Sequence, residues 1–327
     1  MFKPLLMVLA LSFAAPLLAT TPGHPLPFKP DLAKQVRVII SSDAKNEADD
    51  DFAVAHALLT PTFDVRGLIA AHYQRTATMM KKFAPTEPQS YQELQHLTSL
   101  MQASTPIWHG AQHDINQQTQ PLSEGAQGII REALSHDTRP LFVLVLGPAT
   151  DVALALQARP EIASRLTVVW IGGNPYPKGG WEYNLYNDPQ AGRILFSSNV
   201  ALWQVPHNVY MSMRVSLAEL AVKVKPQGKT GEYLWQQMLE FNDWASANLK
   251  GIPWPKSEVW VLGDNPAIAL LLDDHEYHYT MVKAPKLNDD LTYSIDESHR
   301  EIRVYNAIDA RFVLEDFYAK LQLAYGQ

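Results

Sequence analysis

Apolar and polar positions fall in blocks along this chain, and the blocks predict buried strands that alternate with helices. Short apolar runs rich in β-branched residues are typical of strands covered on both faces of a parallel sheet. The predicted strands are Val36–Ile40, Val65–Ala71, Leu141–Leu146, Leu166–Ile171 and Val200–Val205. Strand and helix alternate over residues 36–205, which predicts an α/β fold with a doubly wound, mostly parallel sheet. Such a sheet binds ligands at the carboxyl ends of its strands.

Helices are predicted between these strands and beyond them. The helical segments are Phe52–Leu59, parts of residues 76–103, Thr150–Ala158 and Pro189–Ser197. After residue 210 the pattern becomes mostly helical, with Thr230–Leu249 as the longest stretch. A strand-like Glu301–Tyr305 then precedes a final helix, Ala310–Leu323. We therefore expect additional C-terminal helices packed on the α/β core.

The N-terminus has the pattern of a secretory signal. Lys3 precedes an apolar stretch from Leu5 to Leu18, and Leu17-Leu18-Ala19 offers a small-residue cleavage site. The stretch is short for a membrane span. We expect residues 1–20 to be a signal peptide, residues 21–327 to form a single domain, and the mature protein to be secreted or periplasmic, free of the membrane. An uncleaved anchor is the alternative.

Composition narrows the class of partner. The chain has 327 residues, 46% of them hydrophobic, and a formal net charge of -7, which disfavours a nucleic-acid surface. It has no cysteine, which excludes disulfides, thiolate metal sites and a cysteine nucleophile. We therefore expect a small-molecule substrate and no nucleic-acid partner, and composition leaves a homo-oligomer open.

An acidic run follows the first predicted strand. Residues 43–51 hold the five acids Asp43, Glu47, Asp49, Asp50 and Asp51 at a strand-to-helix junction. Like charges this close repel one another, by about 1 kcal/mol per pair even in water. One or two acids would serve as a helix cap at the positive end of the helix dipole, but Asp43 and Glu47 add nothing to a cap. An all-oxygen cluster suits Ca²⁺ or Mg²⁺, so we interpret the run as part of a cation site.

Several motifs then agree with one family, in order along the chain. The segments are Ile39–Asp43 with Asn46–Asp50, Val145–Leu156, Trp170–Asn174, Trp181–Ala191 and Gly263–Ala269. Together they resemble the inosine-uridine-preferring nucleoside hydrolase superfamily, in a branch with an Asn-Glu-x-Asp-Asp loop. The resemblance implies a single nucleoside-hydrolase-like domain with a Rossmann-like core.

The resemblance also implies a reaction and a set of roles. The implied activity is Ca²⁺-dependent hydrolysis of the N-glycosidic bond in ribonucleosides or related ribosyl compounds. The implied Ca²⁺ ligands are Asp43, Asp50, Asp264 and the backbone carbonyl of Leu146. Asp49 maps to the general base that activates water. Sugar contacts map to Glu182, Asn184 and Asn174, and Arg75 is a further substrate-binding candidate that can meet a phosphate or carboxylate.

The chain departs from the family pattern at its leaving-group side. Better-known members often carry a His before the last metal Asp, and this chain has Gly263 there. The candidate proton donors are His72, His109, His113, Tyr73, Tyr176 and Tyr183, and no spacing argument selects among them. Trp181, Trp254 and Trp260 are the candidates for an aromatic wall. Two alternatives stay open: a metal-containing sugar- or nucleoside-binding protein without turnover, and a hydrolase of a different glycoside.

Overall fold

The structure is a computed structural model, and it describes residues 26–82, 84–117, 122–249, 258–273, 278–295 and 297–326. The expected signal peptide and Trp254 lie outside these residues. None of the helices in the described ranges is long and apolar enough to cross a membrane.

The strands of the described part build one large sheet and two small ones. In chain order they are β1 (Val36–Ser42), β2 (Phe63–Ala70), β3 (Ile107–His109), β4 (Leu141–Val145), β5 (Thr167–Ile171), β6 (Ala201–Val205), β7 (Arg214–Ser216), β8 (Val259–Val261), β9 (Tyr279–Lys283), β10 (Lys286–Leu287), β11 (Tyr293–Ser294) and β12 (Glu301–Tyr305). The large sheet has the order β3-β2-β1-β4-β5-β6-β12-β9. Its strands pair in parallel, except that β9 runs antiparallel to β12 at one edge.

Helices cover both faces of this sheet. They are α1 (Asp50–Leu58), α2 (Gln74–Met79), α3 (Glu87–Met101), α4 (Glu124–Ala133), α5 (Thr150–Ala158), α6 (Tyr183–Asn187), α7 (Pro189–Ser197), α8 (His207–Tyr210), α9 (Leu217–Lys223), α10 (Gly228–Asn248), α11 (Pro266–Ala269) and α12 (Ala310–Tyr325). Two separate apolar clusters result, one on each face, because β1 turns Val38 and Ile40 to one side and Ile39 to the other. This arrangement confirms the doubly wound α/β fold.

The region after residue 210 adds short strands to the expected C-terminal helices. It contains the predicted helices, but it also contains the two small sheets, β7–β8 and β10–β11, and the antiparallel edge strand β9. These strands are two to five residues long and mostly half-exposed. Such short strands leave no run of apolar positions from which the sequence pattern could predict them.

The strand order places a crevice beside the acidic run. Along the sheet the chain order reverses between β1 and β4, which are neighbours. Loops that leave two such strands in opposite directions open a gap at their carboxyl ends. The acidic run leaves β1 at this point, and Leu146 and Gly147 leave β4.

Candidate functional site

A cavity of about 480 Å³ opens at this reversal point. Its floor is acidic and its walls are largely aromatic or sulfur-containing. The lining residues are Asp43, Asn46, Glu47, Asp49, Asp50, Met79, Leu146, Ile171, Trp181, Glu182, Tyr183, Asn184, His207, Tyr210, Met211, Trp260, Val261, Gly263 and Asp264. A deep cleft with convergent polar groups and apolar walls is the usual form of a small-molecule site.

The backbone of the acidic loop is held by helices that pack around it. Ser90 on α3 donates a hydrogen bond from Oγ to the carbonyl of Ala44 at 2.9 Å. Gln237 on α10 donates from Nε2 to the carbonyl of Ala48 at 2.8 Å. The loop is therefore fixed from two sides, and its carboxylates have a defined direction.

Two of the acidic side chains are oriented by neighbours within the same segment. The Ser42 hydroxyl donates to Oδ1 of Asp50 at 2.6 Å, and Nδ2 of Asn46 donates to Oδ2 of Asp43 at 2.9 Å. Each bond fixes the direction of one carboxylate. Asp43 and Asp50 are nearly fully buried, at 2% and 3% exposure.

A third segment brings Asp264 to the same floor. Asp264 follows β8 and precedes α11, about 215 residues after the acidic run. One carboxylate oxygen each from Asp49, Asp50 and Asp264 lies within 4.8 Å of the others. Asp43 lines the same cavity but falls outside this group of three.

Burial and mutual repulsion raise the pKa values of these acids. Burial is the larger cause for Asp50, whose pKa rises to about 8, with the charge of Asp49 adding to it. Burial also raises the pKa of Asp49 to about 6, against hydrogen bonds that lower it. The pKa values of Asp43 and Asp264 are raised well above the usual range by burial and by neighbouring carboxylates. Without a cation the cluster therefore retains protons.

The donor set fits a hard divalent cation. The groups are carboxylate oxygens and one backbone carbonyl, that of Leu146, which also accepts a hydrogen bond from Asn184 Nδ2 at 2.9 Å. A carbonyl has a second lone pair for a ligand. Gly147 allows β4 to approach closely, because a Cβ there would lie 2.5 Å from Oδ1 of Asp43. All-oxygen sites of this kind suit Ca²⁺ or Mg²⁺.

Asp49 and Asp51 point in different directions although they are close in sequence. Asp49 is the N-cap residue of α1 but makes no side-chain capping bond. Its Oδ2 instead accepts a hydrogen bond from the backbone N–H of Gly263 at 3.0 Å. Asp51 is buried and pairs with Glu93, which also contacts Lys45 at 3.0 Å. Asp49 thus faces the cavity, whereas Asp51 lies in the packing between α1 and α3.

Glu182 and Asn184, the predicted sugar contacts, both line the cavity, and both also form hydrogen bonds that connect its walls. Glu182 is the N-cap of α6, and its carboxylate accepts four hydrogen bonds: from the N–H groups of Gly173, Asn184 and Leu185, and from the Tyr210 hydroxyl. Asn184 donates through Nδ2 to the carbonyls of Leu146 and Ile171. Its Oδ1 is left for a ligand or water.

Two predicted substrate contacts lie away from the cavity lining. Asn174 donates from Nδ2 to the carbonyl of Trp181 at 2.8 Å, which shapes the loop. The Arg75 guanidinium stacks over the Tyr186 ring, 4.3 Å from its centroid. Tyr186 in turn packs against Trp181. The side chains of Arg75 and Asn174 are therefore engaged outside the cavity lining.

Most of the predicted proton donors are also engaged elsewhere. His72 is fully buried with Nε2 2.9 Å from the Thr150 hydroxyl, and Nδ1 of His109 contacts Glu87 at 2.8 Å. Tyr73 donates to Gln89. Of the six candidates only Tyr183 lines the cavity, together with the predicted wall residues Trp181 and Trp260.

Sequence reasoning did not select Met79, His207, Tyr210 and Met211 as cavity residues. His207 and Tyr210 follow Pro206 at the carboxyl end of β6. This position could have indicated both residues, because the carboxyl ends of parallel strands lie at one edge of the sheet, where ligands bind. Glu47 lines the cavity as well, although the sequence motifs assign it no role.

Comparison with known proteins identifies the family and the fold. The family model described as inosine-uridine preferring nucleoside hydrolase matches residues 38–314. The pyrimidine-specific ribonucleoside hydrolase RihA of Salmonella paratyphi A is 29% identical over 104 residues, which is 31% of this chain and 33% of the relative. The match thus spans about a third of the curated relative's length.

Solved structures share the fold over most of the chain. A plant nucleoside hydrolase and a purine-preferring ribonucleoside hydrolase from Gardnerella vaginalis each superpose with a TM-score of 0.69 at 17% identity. Each match covers 88% of this chain, and 98% and 99% of the respective neighbour. An inosine-uridine preferring nucleoside hydrolase from Bacillus anthracis gives a TM-score of 0.62 at 15% identity, covering 88% of this chain and all of the neighbour.

Proposed function

This chain belongs to the inosine-uridine preferring nucleoside hydrolase family, and from that premise we propose that it hydrolyses the N-glycosidic bond of ribonucleosides or related ribosyl compounds. The supporting observation is the convergence of the Asp49, Asp50 and Asp264 carboxylates within 4.8 Å at the floor of an aromatic-walled cavity. A polar floor suits a sugar, and flat apolar walls suit a heteroaromatic base.

The cation in this proposal is Ca²⁺, held by Asp43, Asp50, Asp264 and the Leu146 carbonyl. When bound, it would offset the repulsion among the acids and make a coordinated water more acidic. The oxygen donors and the nearly complete burial of the three acids support this assignment.

Asp49 is the proposed general base. Its carboxylate faces the cavity beside the proposed ligands and is oriented by the Gly263 N–H. It takes a proton from the water that attacks the anomeric carbon, while the bond between that carbon and the base nitrogen breaks. The negative floor favours the positive charge that develops on the sugar.

Glu182 and Asn184 are the proposed sugar contacts. Both line the cavity, and the four donors on Glu182 fix the direction of its carboxylate. Trp181, Tyr183 and Trp260 would stack on the base or exclude water from the breaking bond. Arg75 and Asn174 have no role in this proposal, because their side chains are engaged outside the cavity lining.

The experiment is release of free ribose from a panel of purine and pyrimidine nucleosides. The protein is first stripped with chelator and then titrated with Ca²⁺, with Mg²⁺ in a parallel series. We expect no ribose without a divalent cation and turnover with Ca²⁺. No turnover of any ribosyl compound with the cation present would contradict the proposal.

The second candidate is a metal-containing binding protein without turnover. Gly263 favours it, because glycine offers no side-chain proton to a departing base. Calorimetric binding of ribosides with no ribose released over hours would establish this candidate instead.

The proposed location is secreted or periplasmic, and detection of the mature chain beginning near residue 21 in the exported fraction would test it.

A further inference from the structure

Depth within the cavity separates the sugar end from the base end. The acids at the floor, Asp43, Asp50 and Asp264, are between 2% and 5% exposed. Trp181 and Met79 are each 42% exposed and mark the mouth. A riboside whose hydroxyls reach the floor must therefore direct its base toward the mouth.

His207 lies on this mouth side, and among the described residues its imidazole has no hydrogen-bond partner. It lines the cavity and is exposed, and its backbone N–H is fixed by the carbonyl of Gly173 at 2.9 Å. Within the described ranges it is the sole histidine of the cavity lining. Its imidazole ring packs in a T-shaped arrangement on the ring of Tyr210, with ring centroids 5.2 Å apart.

Tyr210 packs against His207 and also lies beside Gly263, which has no side chain. A Cβ on Gly263 would lie 3.1 Å from Cδ2 of Tyr210 and 3.2 Å from Oδ2 of Asp49. The Tyr210 ring therefore covers the face of residue 263, and its hydroxyl is tied to Glu182 at 2.9 Å. The wall at this point is built by α8 instead of by the loop before Asp264.

We propose that His207 is the acid that protonates the departing base, an assignment that rests on the proposed hydrolase function. As the bond between the anomeric carbon and the base nitrogen breaks, both bonding electrons stay with the nitrogen. The His207 imidazolium gives that base a proton and becomes neutral imidazole. Asp49 takes the proton lost by the attacking water, and exchange with solvent returns both groups to their starting states. The products are ribose and the neutral base.

Other acids of the cavity are less suited to this step. Burial raises the pKa of Tyr183, and burial with the nearby charge of Glu182 raises that of Tyr210, so both phenols are weak acids. The Tyr210 proton is also committed to Glu182. Burial raises the pKa of Glu47, and the next largest causes are the charges of Asp49 and Asp50. Glu47 therefore lies toward the floor. Partial burial lowers the pKa of His207, which makes its imidazolium a stronger acid.

The test compares substrates that differ in their need for protonation. A ribonucleoside has a poor leaving group, whereas 4-nitrophenyl β-ribofuranoside releases a phenolate that needs no proton. For His207→Gln we expect kcat to fall by about 100-fold or more on the nucleoside. On the nitrophenyl riboside we expect a change of less than about fivefold, which also reports a folded, Ca²⁺-loaded site. His136→Gln is the matched control, since His136 is exposed beside another cavity at the amino ends of the strands.

Each outcome decides a different point. An equal loss on both substrates, or no loss on the nucleoside, overturns the assignment of His207. If Glu47→Gln in place of His207→Gln produces the leaving-group-selective loss, Glu47 is the acid and the assignment is wrong. If the wild type turns over neither substrate with Ca²⁺ present, the proposed function itself fails, and the role of His207 falls with it.

Discussion

Replacement of Gly147 by alanine perturbs the proposed cation site without removing any ligand. The new Cβ would lie 2.5 Å from Oδ1 of Asp43, whereas ordinary contacts begin at 3.4 Å. The Asp43 carboxylate must therefore move by nearly an ångström. It is 2% exposed and tied to Asn46 at 2.9 Å, so it has little space in which to move.

The expected size of the effect follows from the tolerance of metal coordination. Ligand distances in protein metal sites vary by about 0.2 Å, which is much less than the required shift. We expect Gly147→Ala to weaken Ca²⁺ binding by about 10- to 100-fold, the range seen when the support of a ligand is lost. Overpacking should also lower the free energy of unfolding by about 1–3 kcal/mol.

Isothermal titration with Ca²⁺ and chemical denaturation measure the two effects separately. Gly128→Ala is a matched control, because Gly128 lies on α4 away from the cavity, and its Cβ would lie 2.4 Å from the ring of Trp108 on β3. It should lose stability and keep its Ca²⁺ affinity. In an Asp43→Asn background the same Gly147→Ala change should have little further effect on affinity. Wild-type affinity in Gly147→Ala would refute the placement of Asp43 at the cation.

Three further predictions concern the base, the charge cluster and the wall. Asp49→Asn should lower kcat by about 10²–10⁴-fold while Ca²⁺ affinity changes less than about tenfold; a parallel loss of Ca²⁺ binding by calorimetry would make Asp49 a ligand. In chelator, stability should fall as the pH rises from 6 to 8, because folded Asp50, with a pKa of about 8, holds a proton that the unfolded chain has already lost. Each such group changes the free energy of unfolding by about 1.4 kcal/mol per pH unit. The rise in unfolding temperature on adding Ca²⁺ should therefore be larger at pH 8 than at pH 6. An equal rise at both pH values would count against a buried acidic site. Glu182→Ala removes the acceptor of four hydrogen bonds and should lower the free energy of unfolding by about 2–4 kcal/mol. Tyr210→Phe removes one of these bonds and should lower it by about 1 kcal/mol. Similar losses in both variants would show that the backbone bonds to Glu182 contribute little.

The sequence predicts the central sheet well because its strands are buried on both faces. Val36–Ile40 and Leu141–Leu146 are continuous apolar runs apart from Arg37, and the structure extends or shortens them by only one or two residues. Pro189–Ser197 is helical over the predicted range, since Asp188 caps it and proline starts it. Local chemistry of this kind is visible in the sequence.

The parts of the site that could not be predicted depend on tertiary placement. His207 and Met79 are single residues on short helices, with no periodicity that marks them. The sequence suggests Arg75 as a cation for the substrate. The structure instead stacks its guanidinium on Tyr186 of α6, a contact that the sequence does not indicate. The packing of Tyr210 against Gly263 joins segments more than fifty residues apart through the β7–β8 pair.

A crystal structure with Ca²⁺ and a non-hydrolysable riboside would show whether the acidic floor binds both the cation and the sugar. We expect the cation about 2.3–2.6 Å from oxygens of Asp43, Asp50, Asp264 and the Leu146 carbonyl. We also expect a water beside Asp49, the sugar at the floor and the base facing His207. A cation bound elsewhere, or a riboside whose base lies at the acidic floor, would contradict the proposed site.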